Sequence, residues 1–431
     1  MNIVQITPGA GGMYCGNCFR DNALVGELRR LGHNVTMIPL YLPMTVDETD
    51  HSTGMPIFFG GISVYLEQEY PWFARAPVWL RRLLASPWLL KLVAGRAAST
   101  RASELGAMTL SMLDGEQGKQ AKELDELVDW LVEHEPPDVI FLSNALLIGF
   151  ARKLRQRLKA KVVCMLQGED HFLDALPEPY RSKTWRAIAE RTKDVDLLIA
   201  PSRYFGDLMA QRLGLPEGRV KVVHNGIDPS QFEVAPVSQR EPVIGYFARM
   251  CPEKGLHILV DAFILLRQRG RVQGVKLKIG GGLGPSDVKY VETLKARLIK
   301  AGLIDAVDFH PNLDRKSKSR FFSNLSVFSV PATYSEAFGL YVIEAWAAGV
   351  PTVLPDHSAF PELTAVSGGG LICRPEDPAS LAEALESVLS SPQSQRTLAD
   401  AARRASMDGF HQQAMARRML EAVLQRTAVA A

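Results

Sequence analysis

Short runs of β-branched and other apolar residues, bounded by Gly, Pro, Asn and Asp, recur along the chain, and stretches whose apolar positions follow a helical spacing lie between them. This alternation predicts parallel strands joined by crossover helices. In the first unit Asn2 to Thr7 reads as a strand, Pro8 to Gly16 as a Gly-rich loop, Asn17 to Leu31 as a helix stopped by Gly32, and Asn34 to Leu40 as a second strand. Further strands are expected at Val139 to Ser143, Lys161 to Leu166, Asp196 to Pro201 and Val220 to Val223.

The pattern restarts after a polar, Pro-containing stretch, with strands expected at Val243 to Phe247, Val275 to Ile279, Val307 to Phe309, Val327 to Val330 and Thr352 to Leu354. Two α/β domains follow: a first Rossmann-like domain over 1–230, a linker over 231–242, and a second Rossmann-like domain over 243–408. The ligand sites of such sheets lie beyond the carboxyl ends of their strands, so a central cleft between two facing domains is the expected working surface. Residues from about 42 to 118 break the rhythm. Arg75, Arg81, Arg82, Lys91 and Arg96 interleave there with Trp79, Trp88 and leucines. That suits either a helical insertion packed on the first domain, a lid, or a peripheral membrane contact through 77–96.

A length of 431 residues agrees with two domains, and 47% hydrophobic with 22% charged residues is ordinary for a globular protein without a spanning segment. Lys plus Arg total 49 against 47 for Asp plus Glu, so nucleic acid is not expected as a partner and any phosphate binding must be local. The start, MNIVQITPG, enters a strand with no basic or apolar leader, and five cysteines read as reduced thiols. The expected location is the cytoplasm, with the inner membrane face as the place where 77–96 would act.

The first loop, Gly9-Ala10-Gly11-Gly12-Met13-Tyr14-Cys15-Gly16, would let backbone N–H groups approach a phosphate or sugar at a helix N-terminus. It does not make the dinucleotide fingerprint of a dehydrogenase. The last glycine of that pattern falls on Tyr14, and the strand Asn34 to Leu40 ends without an acidic residue. Cys15 and Cys18 form one C-x-x-C without the second ligand pair that a zinc site needs.

The densest chemistry lies in PATYSEAFGLYVIEAWAAGVPTVLPDHSAFP, residues 331 to 361, where Glu336 and Glu344 are separated by seven residues. Gly339 and Leu340 open a helix that Gly349 and Pro351 close, and its first N–H groups are free to meet a ligand. One glutamate precedes that end and the other lies about a turn inside. They could grip two parts of one long ligand whose phosphates lie over the helix end.

With these motifs the chain resembles the retaining GT-B glycosyltransferases of family 4, related to glycogen and sucrose synthases. The resemblance covers nearly the whole chain and is weakest from Leu42 to Gly118. Its most specific feature is the E-x7-E pair within SEAFGLYVIEAWAAGVP, joined by Ile244-Gly245-Tyr246-Phe247-Ala248-Arg249 with Glu253-Lys254-Gly255. Softer matches are Ala200-Pro201-Ser202, His224-Asn225-Gly226-Ile227-Asp228 and Gly280-Gly281-Gly282. The resemblance implies transfer from a nucleotide-diphosphate sugar, a co-substrate rather than a cofactor, to a small-molecule, glycan or lipid-linked acceptor. It implies no metal and no enzymic nucleophile.

On the same basis Arg249, Lys254 and the N–H groups near Gly339 and Leu340, beside Phe338, hold the diphosphate, Glu336 the donor sugar and Glu344 the ribose. Gly11, Gly12, Asn144, Gln167 and His171 are the candidate contacts of the first domain. The histidine that the family usually has after the strand reading Val162 to Leu166 is replaced here by Gln167: either Gln167 takes over its contact, or His171 reaches back into the site, or the donor's outer hydroxyls are read differently. Pro311 stands where the family often shows glycine. A C-terminal helix over 409–431 is implied to cross back to the first domain. A nucleotide-sugar epimerase lacks the E-x7-E arrangement, and a non-catalytic binding relative would be expected to lose Arg249, Lys254 or one glutamate; all are present.

Overall fold

The structure, a computed structural model, describes residues 1–9, 16–44, 49–59, 102–134, 136–237 and 240–425. The chain divides into two units, one of Met1–Val223 with Ala416–Ala431 and one of His224–Met415. The first unit carries a parallel sheet of β1 (Asn2–Thr7), β2 (Asn34–Pro39), β3 (Val139–Leu142), β4 (Lys161–Met165), β5 (Leu197–Ala200) and β6 (Val220–Val222). Their order is β2-β1-β3-β4-β5-β6. Every residue of β3, VIFL, and of β5, LLIA, is buried, which is why these strands read as continuous apolar runs rather than alternating ones.

Helices follow from similarly local rules. Leu124, Leu127, Val128 and Leu131 form the buried face of the helix Ala121–Glu133 at the spacing of one helical stripe. In the helix Arg203–Leu213, Ser202 caps the start by accepting from the Phe205 N–H, and Gly214 in the left-handed conformation ends it. Within the expected insertion a helix spans Ala102–Asp114. The segment 77–96, Cys15, Gly11 and Gly12 lie outside the described residues. Among the described residues no helix is long and apolar enough to cross a membrane.

The second unit repeats the plan with β7 (Val243–Phe247), β8 (Lys276–Gly281), β9 (Val307–Pro311), β10 (Val327–Phe328), β11 (Thr352–Pro355) and β12 (Gly370–Cys373), ordered β12-β11-β10-β7-β8-β9. β12 is not expected from the sequence. It begins inside Ser367-Gly368-Gly369-Gly370, which reads as a loop, and pairs with β11 through Thr352 and Gly370. Residues expected to be a linker belong to this unit instead: Phe232 packs edge-on against Phe322, with ring centres 5.9 Å apart. The Arg240 guanidinium donates to the carbonyls of Ala235, Ala348 and Gly349. Such side chains satisfy and are satisfied by the second core, so the boundary falls after Val223 rather than at 230.

Candidate active site

In a doubly wound sheet the ligand crevice lies beyond the strand ends where the winding reverses. In the second sheet β7 is flanked by β8 on one side and β10 on the other, so the reversal lies between β7 and β10. The segments leaving these two strands carry Arg249 and Lys254 after β7 and Glu336 after β10. They are tied together by backbone: the Thr333 N–H donates to the Glu253 carbonyl at 2.9 Å. Gly255, at φ 69°, packs so closely on Pro331 that a Cβ there would stand 1.7 Å from its carbonyl oxygen. Only glycine satisfies both the conformation and the approach.

This junction brings Lys254 to Glu336. Nζ of Lys254 donates to Oε2 of Glu336 at 2.6 Å, and the same oxygen accepts from the hydroxyls of Tyr334 at 2.8 Å and Tyr341 at 2.7 Å. Lys254 also donates to the Tyr334 hydroxyl and lies 4.6 Å and 5.2 Å from the ring centres of Tyr334 and Tyr341. Burial pushes the Glu336 carboxyl up, but the Lys254 charge and the hydrogen bonds from Lys254, Tyr341 and Tyr334 outweigh it and hold the group below the usual carboxylate range. Burial, followed by the Glu336 charge, pushes both phenols up, so they remain donors. Neither tyrosine is singled out by sequence reasoning. Their positions, two before and five after Glu336, are the only signal.

The helix expected around the second glutamate spans Leu340–Ala347, with Gly339 at φ 86° before it and no side chain capping its N-terminus. Its far end is closed: Arg240 bonds the carbonyls of Ala348 and Gly349, and Arg403 bonds that of Ala347. The partial positive charge of the N-terminus is thereby left for a ligand. Phe338, 3% exposed, packs into the core near His224 and Phe410. Glu344 lies inside the helix and accepts at Oε1 from Nζ of Lys318 at 2.5 Å. Lys318 stands 5.1 Å from the Phe247 ring centre and was hidden in the sequence by the charged run Asp314 to Arg320.

Arg249 is exposed but not loose. Its Nε and Nη2 donate to the two carboxylate oxygens of the buried Asp287, at 2.8 Å and 3.1 Å. Hydrogen bonding to Asp287 raises the guanidinium's pKa further. Next to Gly281, Pro311 ends β9 without supplying a left-handed turn; Asn312 supplies it at φ 55°. The Asn312 side chain accepts from the Leu283 N–H and donates to the Leu283 carbonyl, fixing the loop after β8.

In the first unit the winding reverses between β1 and β3. Asn144, following β3, is buried and its side chain accepts from the Leu146 N–H, so in this structure it caps a turn. Glu169 accepts from the N–H groups of Ala145 and Gln167, at 2.7 Å and 2.8 Å, and so fastens the ends of β3 and β4 together. Burial raises its pKa against those hydrogen bonds. Gln167 is half-buried there, while His171 is exposed on the short helix Glu169–Asp174. Sequence reasoning also passes over Arg20 and Asp21, a fully buried pair at 2.5 Å whose arginine reaches the Ser143 carbonyl and whose aspartate accepts from Thr7.

The sequence pattern of the family described as Glycosyltransferase Family 4 matches residues 115–231, and that described as Glycosyl transferases group 1 matches residues 228–405. A glycogen synthase of Mycobacterium tuberculosis is 30% identical over 229 residues, 52% of this chain and 53% of the relative. A D-inositol 3-phosphate glycosyltransferase of Streptomyces avermitilis is 29% identical over 209 residues, 46% of this chain and 45% of its own length. The chain thus spans about half the length of the curated relatives it matches. In fold it is similar to a sucrose-phosphate synthase from Thermosynechococcus elongatus, with TM-score 0.70, 19% identity and 97% of each chain covered. It is likewise similar to Anabaena HepE in complex with UDP, with TM-score 0.68, 18% identity, and 98% and 99% covered. The chain thus carries a family 4 glycosyltransferase region over 115–231 and a group 1 glycosyltransferase region over 228–405, and its two parallel six-stranded sheets share the fold of these solved structures.

Proposed function

We propose that the protein transfers a glycosyl group from a nucleoside-diphosphate sugar to an acceptor hydroxyl, with retention of anomeric configuration and without a metal. The observation that supports this most is the uncapped helix Leu340–Ala347 with one glutamate before it and one within it, each paired to a lysine. The bond that breaks joins the anomeric carbon to the diphosphate. Negative charge develops on the departing phosphate, and the helix N-terminus meets it with fixed N–H dipoles. Lys254 gives two of its three N–H donors to Glu336 and Tyr334, which leaves one for a phosphate oxygen. Arg249, held by Asp287 at Nε and Nη2, keeps Nη1 for the same charge.

Glu336 then takes hydroxyls of the transferring sugar and Glu344 those of the ribose. The acceptor hydroxyl attacks on the face the diphosphate leaves, and its proton goes to the departing phosphate oxygen, so no enzymic base or nucleophile is called upon. Uridine is the first base to try, since HepE is solved with UDP and with UDP-glucose. The test is a donor panel in the presence of excess chelator, with product configuration read by NMR and with Glu336→Gln and Glu344→Gln compared. Glu336→Gln should lower turnover and spare the affinity for bare UDP; Glu344→Gln should weaken that affinity. An inverted product, activity that returns only with added magnesium or manganese, or equal loss of UDP affinity in both variants would overturn the assignment.

A further inference from the structure

Lys318 lies on the helix Arg315–Ser323, whose Asp314 cap accepts from the Ser317 N–H at 2.7 Å. Its neighbours Lys316 and Arg320 are exposed, as expected of a charged surface helix, whereas the Lys318 side chain is only 13% exposed and its partner Glu344 10%. Drawing an ammonium and a carboxylate out of water together is costly, and an apolar pair of similar volume would serve packing as well or better. The pair is therefore not explained by stability. It joins the helix after β9 to the helix after β10, with the ammonium 5.1 Å from the ring of Phe247 at the end of β7. Among the described residues no hydrogen bond reaches Oε2 of Glu344, the oxygen that Lys318 does not take.

We propose that Lys318 is a positioning and specificity residue for the nucleotide's ribose: by holding Oε1 of Glu344 it aims Oε2 at the vicinal ribose hydroxyls, and so selects ribonucleotides over 2′-deoxyribonucleotides. The inference rests on the nucleotide-sugar reading and assigns a residue that the E-x7-E pattern does not contain. A side chain pinned at one oxygen loses little further freedom when the other binds, which is the advantage of positioning it in advance. Without Lys318, Glu344 can turn and shares its lone pairs with water, and the difference made by a single ribose hydroxyl fades.

The experiment is calorimetric titration of wild type, Lys318→Met and Lys318→Gln with UDP and 2′-deoxy-UDP, with ADP and GDP and their 2′-deoxy forms as alternatives if UDP does not bind. Wild type should prefer the ribonucleotide by about tenfold to a hundredfold, the range for a hydrogen bond to a charged group. In Lys318→Met the preference should shrink to below about threefold, chiefly by loss of ribonucleotide affinity. Lys318→Gln, which keeps a donor without the charge, should fall between them and supplies the answer if the methionine variant does not fold. A preference in either folded variant equal to that of wild type overturns the role of Lys318 and leaves the nucleotide-sugar reading standing. Wild type that binds none of the three nucleoside diphosphates removes that reading, and the role of Lys318 with it.

Discussion

Lys254→Met removes the paired ammonium from Glu336 while leaving both tyrosine hydroxyls on the same oxygen. Removing one partner of a buried ion pair costs about 3–5 kcal/mol. Here the partners keep 18% and 12% of their side-chain exposure. Two hydrogen bonds to the charged oxygen, of about 1.5–3 kcal/mol each, also survive, so the lower end of about 3 kcal/mol is expected. Glu336→Gln should cost about 2 kcal/mol and the double variant about 3, for a coupling near 2 kcal/mol. Because a two-unit chain need not unfold in one step, the readout is hydrogen exchange of peptides from His224–Met415, followed against denaturant. A pH series adds a sign. Glu336 sits below its ordinary pKa in the fold, so the stability it contributes is complete above about pH 4.3 and is lost as the pH falls through the lowered value. With Lys254 gone, burial pulls upward against the tyrosines alone, and the acid limb should move to higher pH. Additive single costs, within about 0.5 kcal/mol, or an acid limb that does not move would refute the pairing as the determinant of this site.

Arg240→Ala should leave the carbonyls of Ala235, Ala348 and Gly349 without their donor and destabilise the second unit by about 2–6 kcal/mol, from about 1–3 for each of the two buried ones, Ala348 and Gly349. A loss below about 0.5 kcal/mol by the same exchange measurement would contradict it. Burial pushes the thiols of Cys251 to about 11 and Cys373 to about 12, and Cys164 well above its usual value, so iodoacetamide at pH 8 should leave all three unmodified in native protein. Peptide mapping after labelling reads this, with urea-unfolded protein as the positive control. Asp287→Asn should weaken binding of bare UDP by a few-fold, because Arg249 loses a charged clamp but keeps its own charge; undiminished affinity would show that the clamp has no part in binding.

What the sequence revealed and what it withheld separate by range. Val243–Phe247 and Asn2–Thr7 were readable because a strand buried on both faces leaves a local signature, and the helix at Leu340 because Gly339 and Gly349 mark its limits. β12 was not, since its apolar run, Leu371 to Cys373, is only three residues long and follows three glycines, and Gly370 gains its conformation from pairing with Thr352. Glu336 and Lys254 could be picked out one at a time, but their bond spans 82 positions and no spacing rule encodes it. Lys318 was masked by the opposite effect: in a run of surface charges, burial of one is decided by the far side of the fold. Asn144 has the residue type of a ligand contact, and its Oδ1 also caps a backbone turn, which its residue type alone did not show.

The division of the chain also bears on its synthesis. Residues 224–415, the whole second unit, are made between Val223 and the Ala416–Ala431 segment that belongs to the first. At about 5–20 residues per second that interval lasts roughly 10–40 s. Throughout it, Lys161 at the start of β4 lacks the Val423 carbonyl to which it later donates at 3.0 Å, and the places filled by the buried Met419 and Val423 stand open to water. The first unit thus starts to emerge before the second and gains its segment from Ala416 onward after it, and a chain cut within the helix Gln412–Leu424 would hold a second unit nearly whole beside a first unit lacking that segment.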